Sequence, residues 1–345
     1  MTRALAAACL FGALVMFGQA QAAPPTPDAL WSAYKTRFIA PEGRLVDDTG
    51  NVSHSEGQGY GMLLAAFSDD RATFDKLWTW TAANLEVGPE GLAAWRWRPQ
   101  DNPHVMDKNN ATDGDLLIAW ALAEAGKRWG DKAYTERAHK ISVAIFGKVV
   151  RPTIFGPAIS PGLRGFGPDD TDDGPVVNLS YWVFPAFDAL AEAAPELDWA
   201  GLRQSGLALI DAAKFGPRRL PSDWISLKYG VQPDAAHPRR FGYEVVRAPL
   251  YLAWGQPEER ARLGAMVDAW TGSDDGPPSV VDIDSGAAVQ SFGDQGYRAV
   301  VALARCAARG AKFPDDLRTV EFDRYYSATL HMLSLTALRQ RFPQC

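Results

Sequence analysis

Thr112-Asp113-Gly114-Asp115-Leu116-Leu117-Ile118-Ala119-Trp120-Ala121-Leu122-Ala123-Glu124-Ala125-Gly126-Lys127-Arg128 settles the fold class. Leu116, Leu117, Trp120 and Ala123 recur at helical spacing and form one apolar face. The same period returns upstream over 29–38, 55–67 and 71–85. Downstream it recurs over 132–149, 180–194, 202–213, 243–254, 258–271, 294–309 and 322–340. This pattern predicts about eleven helices. Strand signals are few: only the alternation Ala94-Trp95-Arg96-Trp97-Arg98 predicts a short strand. Paired helices with Gly/Pro connections predict an all-α fold, a closed ring of helical hairpins. No linker or low-complexity tail interrupts the chain, so 23–345 is expected to be one domain.

The first residues read as a leader. Arg3 precedes an apolar run over 9–17, and Ala20-Gln21-Ala22 is a small-x-small cleavage site. Residues 1–22 are therefore expected to be a signal peptide, with a periplasmic or secreted product. The run is too short to remain as a membrane anchor, and no other segment approaches a span. The net charge of -6 argues against nucleic acid or an anionic membrane as partner, since both favour a basic face. Twelve Trp suit helix packing, and some suit a flat stacking surface. Export permits Cys306 and Cys345 to oxidise, although a bridge to the last residue is expected to gain little. Neither lies near a His cluster, so no zinc and no other cofactor is expected.

Three segments stand out against the helical pattern. Ser55-Glu56-Gly57-Gln58-Gly59-Tyr60-Gly61-Met62 opens a helix. Ser55 and Gln58 fit a capping box, and Glu56 suits the positive end of the helix dipole. Three Gly in five residues disfavour a helix, which predicts that something approaches the backbone closely. Asp113 and Asp115 stand where helix caps stand. Residues 151–178 form a long Gly/Pro-rich loop containing Asp169-Asp170-Thr171-Asp172-Asp173-Gly174. It lacks the terminal Glu of an EF-hand, so a solvated acidic loop is expected.

The Ser55 and Asp113 segments, with two more downstream, resemble glycoside hydrolase family 8. Ser55 to Met62 resembles that family's acid motif, and Ala111 to Ala119 followed by Trp129 its signature segment. Asn178-Leu179-Ser180-Tyr181 resembles its Asn-Pro-Ser-Tyr segment, with Leu179 replacing Pro. Phe241-Gly242-Tyr243-Glu244-Val245-Val246-Arg247-Ala248-Pro249 resembles its Tyr-Asp-Ala-x-Arg-x-Pro segment, with Glu244 replacing Asp.

The resemblance implies an (α/α)6 barrel with an open cleft, endo cleavage of β-1,4-linked glucan and inversion at the anomeric carbon. Such chemistry needs two carboxyl groups flanking the bond. Position by position, Glu56 would be the general acid, Asp113 would hold the sugar at the −1 site, and Glu244 would be the base. Tyr60, Trp95, Tyr181, Tyr243 and Arg247 would contact substrate or support the carboxylates, and a sugar ring would be what approaches the three Gly. The pattern looks most like family members encoded beside bacterial cellulose synthases, which implies a functional link to cellulose synthase. The alternatives are a chitosanase of the same fold and a non-catalytic glucan-binding protein.

Overall fold

The computed structural model describes residues 25–88, 91–273 and 276–345. The expected signal peptide, 1–22, lies outside the described residues. Eleven α-helices occur among them. They are α1 Pro27–Phe38, α2 Ser55–Phe67, α3 Arg71–Asn84, α4 Thr112–Trp129, α5 Lys132–Lys148, α6 Ala186–Ala193, α7 Trp199–Ala212, α8 Arg247–Gly255, α9 Arg260–Thr271, α10 Gln295–Arg309 and α11 Tyr325–Arg341. A 3-10 turn at Leu179–Tyr181 precedes α6, and another at Asp315–Arg318 precedes α11.

The two helices that begin furthest behind their predicted starts, α6 and α8, are each delayed by a proline. The 180–194 run divides at Pro185, so α6 starts at Ala186. The 243–254 run becomes four turn residues followed by α8. Pro249 has no N–H to give Val245 and its ring would clash with that carbonyl. As the third residue of α8 it is tolerated, because no intrahelical bond is needed there. This places Tyr243 and Glu244 in a turn at the mouth of the helix.

The helices form a ring. α2 packs on α4, α4 on the Leu179–Tyr181 turn, that turn on α8, α8 on α11, and α11 back on α2. α2, α4, α8 and α11 are buried nearly all round, while α1, α3, α5, α7 and α9 bury one face and show another to solvent. Capping follows the same division except at α9, which has no side-chain cap. α1, α3, α5 and α7 are capped by Thr26, Asp70, Asp131 and Asp198. α2, α4 and α8 have no side-chain cap. Neither Asp113 nor Asp115 is a cap, and the expected Ser55/Gln58 capping box is absent. Gln58 instead accepts from Leu45 N at 2.6 Å and donates to Thr81 Oγ1 at 2.8 Å, tying α2 to α3 and the preceding loop.

The three glycines of α2 serve packing between elements of the protein. A Cβ at Gly57 would lie 2.7 Å from the Tyr325 hydroxyl, at Gly59 2.5 Å from Leu117 Cβ, and at Gly61 2.8 Å from Leu45. The close approach expected of a sugar ring is made by α11, α4 and the 39–52 loop.

Strands are more numerous than expected. Ten occur among the described residues: β1 Ser53–His54, β2 Arg96–Trp97, β3 Val150–Thr153, β4 Gly156–Ile159, β5 Val176–Val177, β6 Ile225–Ser226, β7 Gln232–Pro233, β8 Arg240–Phe241, β9 Ser279–Asp282 and β10 Ala288–Ser291. All pair antiparallel, in four small sheets ordered β1-β2, β3-β4, β5-β6-β7 and β8-β9-β10. The 151–178 stretch is thus part hairpin, part loop. Its acidic segment is anchored, with Asp173 Oδ2 accepting from Ala235 N at 2.6 Å.

Cys306 and Cys345 form a disulfide. The last residue is buried and its carbonyl accepts from Phe313 N at 3.1 Å, so it is held in place rather than frayed.

Candidate active site

The uncapped N-termini of α2, α4 and α8 meet at one end of the ring and bring three carboxylates around one guanidinium. Arg247 Nη1 donates to Glu56 Oε1 and to Asp113 Oδ2, both at 2.6 Å. Its Nη2 donates to Glu244 Oε2 at 3.3 Å, and its Nε to the Glu244 carbonyl at 3.2 Å. The positive ends of the helix dipoles favour negative charge here. Gly114 makes the convergence possible, because a Cβ there would sit 2.2 Å from Ser55 Oγ and 2.7 Å from Glu56 N.

The three carboxylates differ in access. The Asp113 side chain is 3% exposed, that of Glu56 24% and that of Glu244 40%. Burial pushes Asp113 up to about 6, with Arg247 acting against the rise and Glu56 adding to it. Burial also raises Glu244 above the usual Glu value, while Arg247 opposes and Asp223 reinforces it. Arg247 is itself buried, which disfavours its charge, but Glu56 and its other neighbours outweigh this and keep it cationic. A buried cation without these partners would be costly, so the four side chains form one electrostatic unit.

Around this unit lies a cavity of about 470 Å³. Glu56, Trp95, Asp113, Tyr181, Glu244 and Arg247 all line it, so six of the eight residues expected at the site are brought together. Tyr181 lies below the Arg247 guanidinium, 5.9 Å from ring centroid to Cζ. The Trp95 indole is fixed by its Nε1 bond to Asp107 Oδ2 at 2.9 Å and by Arg96, whose guanidinium lies 4.1 Å over the ring.

Two expected residues do not line the cavity. Tyr60 is fully buried one turn down α2, with its hydroxyl bonded to that of Tyr251 at 2.6 Å. Tyr243 turns away to pack against Phe292 and Tyr297 and to accept from Gln290 Nε2 at 2.7 Å. Membership of a motif segment did not fix the direction of either side chain.

Several lining residues gave no sequence signal. His54 lies beside Trp95 with the rings 5.9 Å apart and nearly parallel, and burial lowers its pKa. Trp224 and Phe166 stack at 5.5 Å, from two loops far apart in the chain. Asp115 supports the site without lining it. Its carboxyl accepts from Ala93 N at 2.7 Å and Asn110 Nδ2 at 2.8 Å, and burial pushes it up to about 8.

Comparison with known proteins agrees with this arrangement. The profile of glycosyl hydrolases family 8 matches residues 1–340. An endoglucanase of Cellulomonas uda is 39% identical over 271 residues, spanning 78% of this chain and 73% of its own. The crystal structure of a family 8 endoglucanase from Klebsiella pneumoniae superposes with a TM-score of 0.81 at 37% identity, covering 90% of this chain and 99% of that one. An endo-β-1,4-glucanase from Acetobacter xylinum gives 0.80 at 33% identity, covering 91% and 99%. The helical ring, the converging carboxylates and the match along the chain lead to one assignment: this protein belongs to glycosyl hydrolase family 8.

Proposed function

We propose that the chain is an exported endo-β-1,4-glucanase that cleaves cellulose chains with inversion, using Glu56 as acid and Glu244 as base. The observation that carries this reading is the single guanidinium of Arg247 holding three carboxylates of unequal access at a cavity. Glu56 gives its proton to the glycosidic oxygen as the bond to the anomeric carbon breaks. Glu244 takes a proton from a water that attacks that carbon from the opposite face. Asp113 is nearly closed to solvent, and Arg247 and Gly114 N already occupy its oxygens. It suits a fixed acceptor for a hydroxyl of the distorted sugar better than a base fed by water. Trp95 and Tyr181 offer apolar ring surface to the sugars.

The β-1,4 linkage is supported by relatives named endoglucanase and endo-β-1,4-glucanase. Replacing Glu56 by Gln should lower turnover of carboxymethylcellulose by about 10²–10⁴-fold while glucan binding persists. A variant that keeps a substantial share of the wild-type rate would reduce Glu56 to a helix-terminal carboxylate. Assays on chitosan and xylan beside carboxymethylcellulose fix the substrate, with the glucan expected to be preferred.

The leader and the family resemblance support export, with 23–345 as one catalytic domain that trims nascent cellulose in the periplasm. No helix among the described residues is long and apolar enough to cross a membrane. N-terminal sequencing of the exported protein should begin at Ala23. A mature chain that retains Arg3 would refute the cleavage site.

A further inference from the structure

α2 and α8 are joined by two polar rungs. The upper is the bond from Arg247 Nη1 to Glu56 Oε1, at 2.6 Å. The lower is the bond between the Tyr60 and Tyr251 hydroxyls, also at 2.6 Å. Tyr60 follows Glu56 by one helical turn, and Tyr251 follows Arg247 by one turn, so each pair shares a helix face. Both rungs join residues 191 apart in sequence. Equal separation on the two helices means that α2 and α8 run in the same direction, in register, with the lower rung beneath the upper.

The lower rung is set deep in the core. Tyr60 is 0% exposed and Tyr251 1%. Burial holds both phenols well above their ordinary pKa, so both remain protonated. Two Phe rings would fill almost the same volume without burying a polar atom. A hydrogen bond adds what packing alone lacks, a fixed distance and direction between two helices. One of those helices carries the acid, and the other carries Arg247 just after the base.

We propose that Tyr60 and Tyr251 are a positioning pair that sets the register of α2 against α8 and thereby the placement of Glu56 relative to Glu244. This rests on the reading of Glu56 as acid and Glu244 as base. Neither tyrosine reaches the cavity, so neither touches substrate. Their effect passes through the helices to the upper rung.

The test compares Tyr60→Phe, Tyr251→Phe and the double variant, with Glu56→Gln as control, in the full mature chain on carboxymethylcellulose. Each single change should lower kcat by about tenfold or more, because small misplacements of reacting groups are costly. KM should stay within about twofold, since the cleft contacts are untouched. The double variant should be no worse than the poorer single one, as both break the same rung. It also leaves no orphaned hydroxyl, so it reports even if a single variant folds poorly. Wild-type kcat with only a lower Tm would overturn the proposal by making the rung purely structural. Recovery of activity in the double variant would also overturn it, by tracing the loss to a stranded hydroxyl. If Glu56→Gln is inactive and the Phe variants are fully active, the pair alone fails. If Glu56→Gln is active, the acid assignment fails and takes the pair's role with it.

Discussion

Glu244 stands where the resemblance expects Asp, and its side chain is the most open of the three carboxylates at the site. A base must be ionised and must meet water, and Glu244 has the best access to it. Its open side meets water while the packing on its other side desolvates it and raises its pKa, so activity should be lost as pH falls through a value above the usual Glu range. Glu244→Gln should abolish most turnover with the fold intact, whereas Glu244→Asp should retain measurable activity and keep an acidic limb in its pH–rate profile. An active Gln variant would move the base role to Asp113. At this scale the sequence was informative for six of the eight expected residues: Glu56, Trp95, Asp113, Tyr181, Glu244 and Arg247 all reach the cavity. It misled at Tyr60 and Tyr243, because a motif names neighbours in the chain and not the depth or direction of a side chain. Phe166 and Trp224 were illegible because long-range packing alone brings their segments together, and His54, beside the acid motif, was passed over.

The elements are held at working distance by missing side chains. Gly114 lets the N-terminus of α4 lie against that of α2, with the Ser55 side chain and Glu56 backbone in the space a Cβ would need. Gly114→Ala should therefore destabilise the protein by about 1–3 kcal/mol and lower kcat, since the helices carrying Asp113 and Glu56 must move apart. Gly147→Ala makes the contrast. This residue lies within α5 with nothing within 4 Å, so the added methyl should stabilise by roughly 0.5–1 kcal/mol without changing the rate. Urea melts and initial rates on both variants check the pair, and equal effects would refute the packing argument. Periodicity located every α-helix among the described residues, and the bounds of α2 match those read from the sequence. Where the reading ran furthest ahead of the helix, at α6 and α8, a proline delays the start. Most strands were illegible because segments of two to four residues have too few positions to show alternation.

For the whole molecule, closure of the ring turns local helix ends into a site. α2, α4, the Leu179–Tyr181 turn and α8 each place a residue at the cavity, and α11 closes the circuit between α8 and α2. The disulfide between Cys306 and Cys345 ties the end of the chain to α10, which packs on α11. The sequence pointed to a ring of hairpins but not to this anchor, because a terminal Cys carries no sign of what it packs against. The proposed mechanism requires an acid and a base acting across a water, with Glu56 and Glu244 on either side of the bond. An inverting pair needs carboxyl groups roughly 6.5–9.5 Å apart, whereas a nucleophilic carboxylate needs about 5–5.5 Å. Proton NMR of freshly released sugar ends during hydrolysis of a soluble β-1,4-glucan reads the outcome directly. The α-anomer should appear first and decay to the equilibrium mixture by mutarotation. Initial release of the β-anomer would mean retention through a covalent intermediate and would contradict the roles assigned to Glu56 and Glu244.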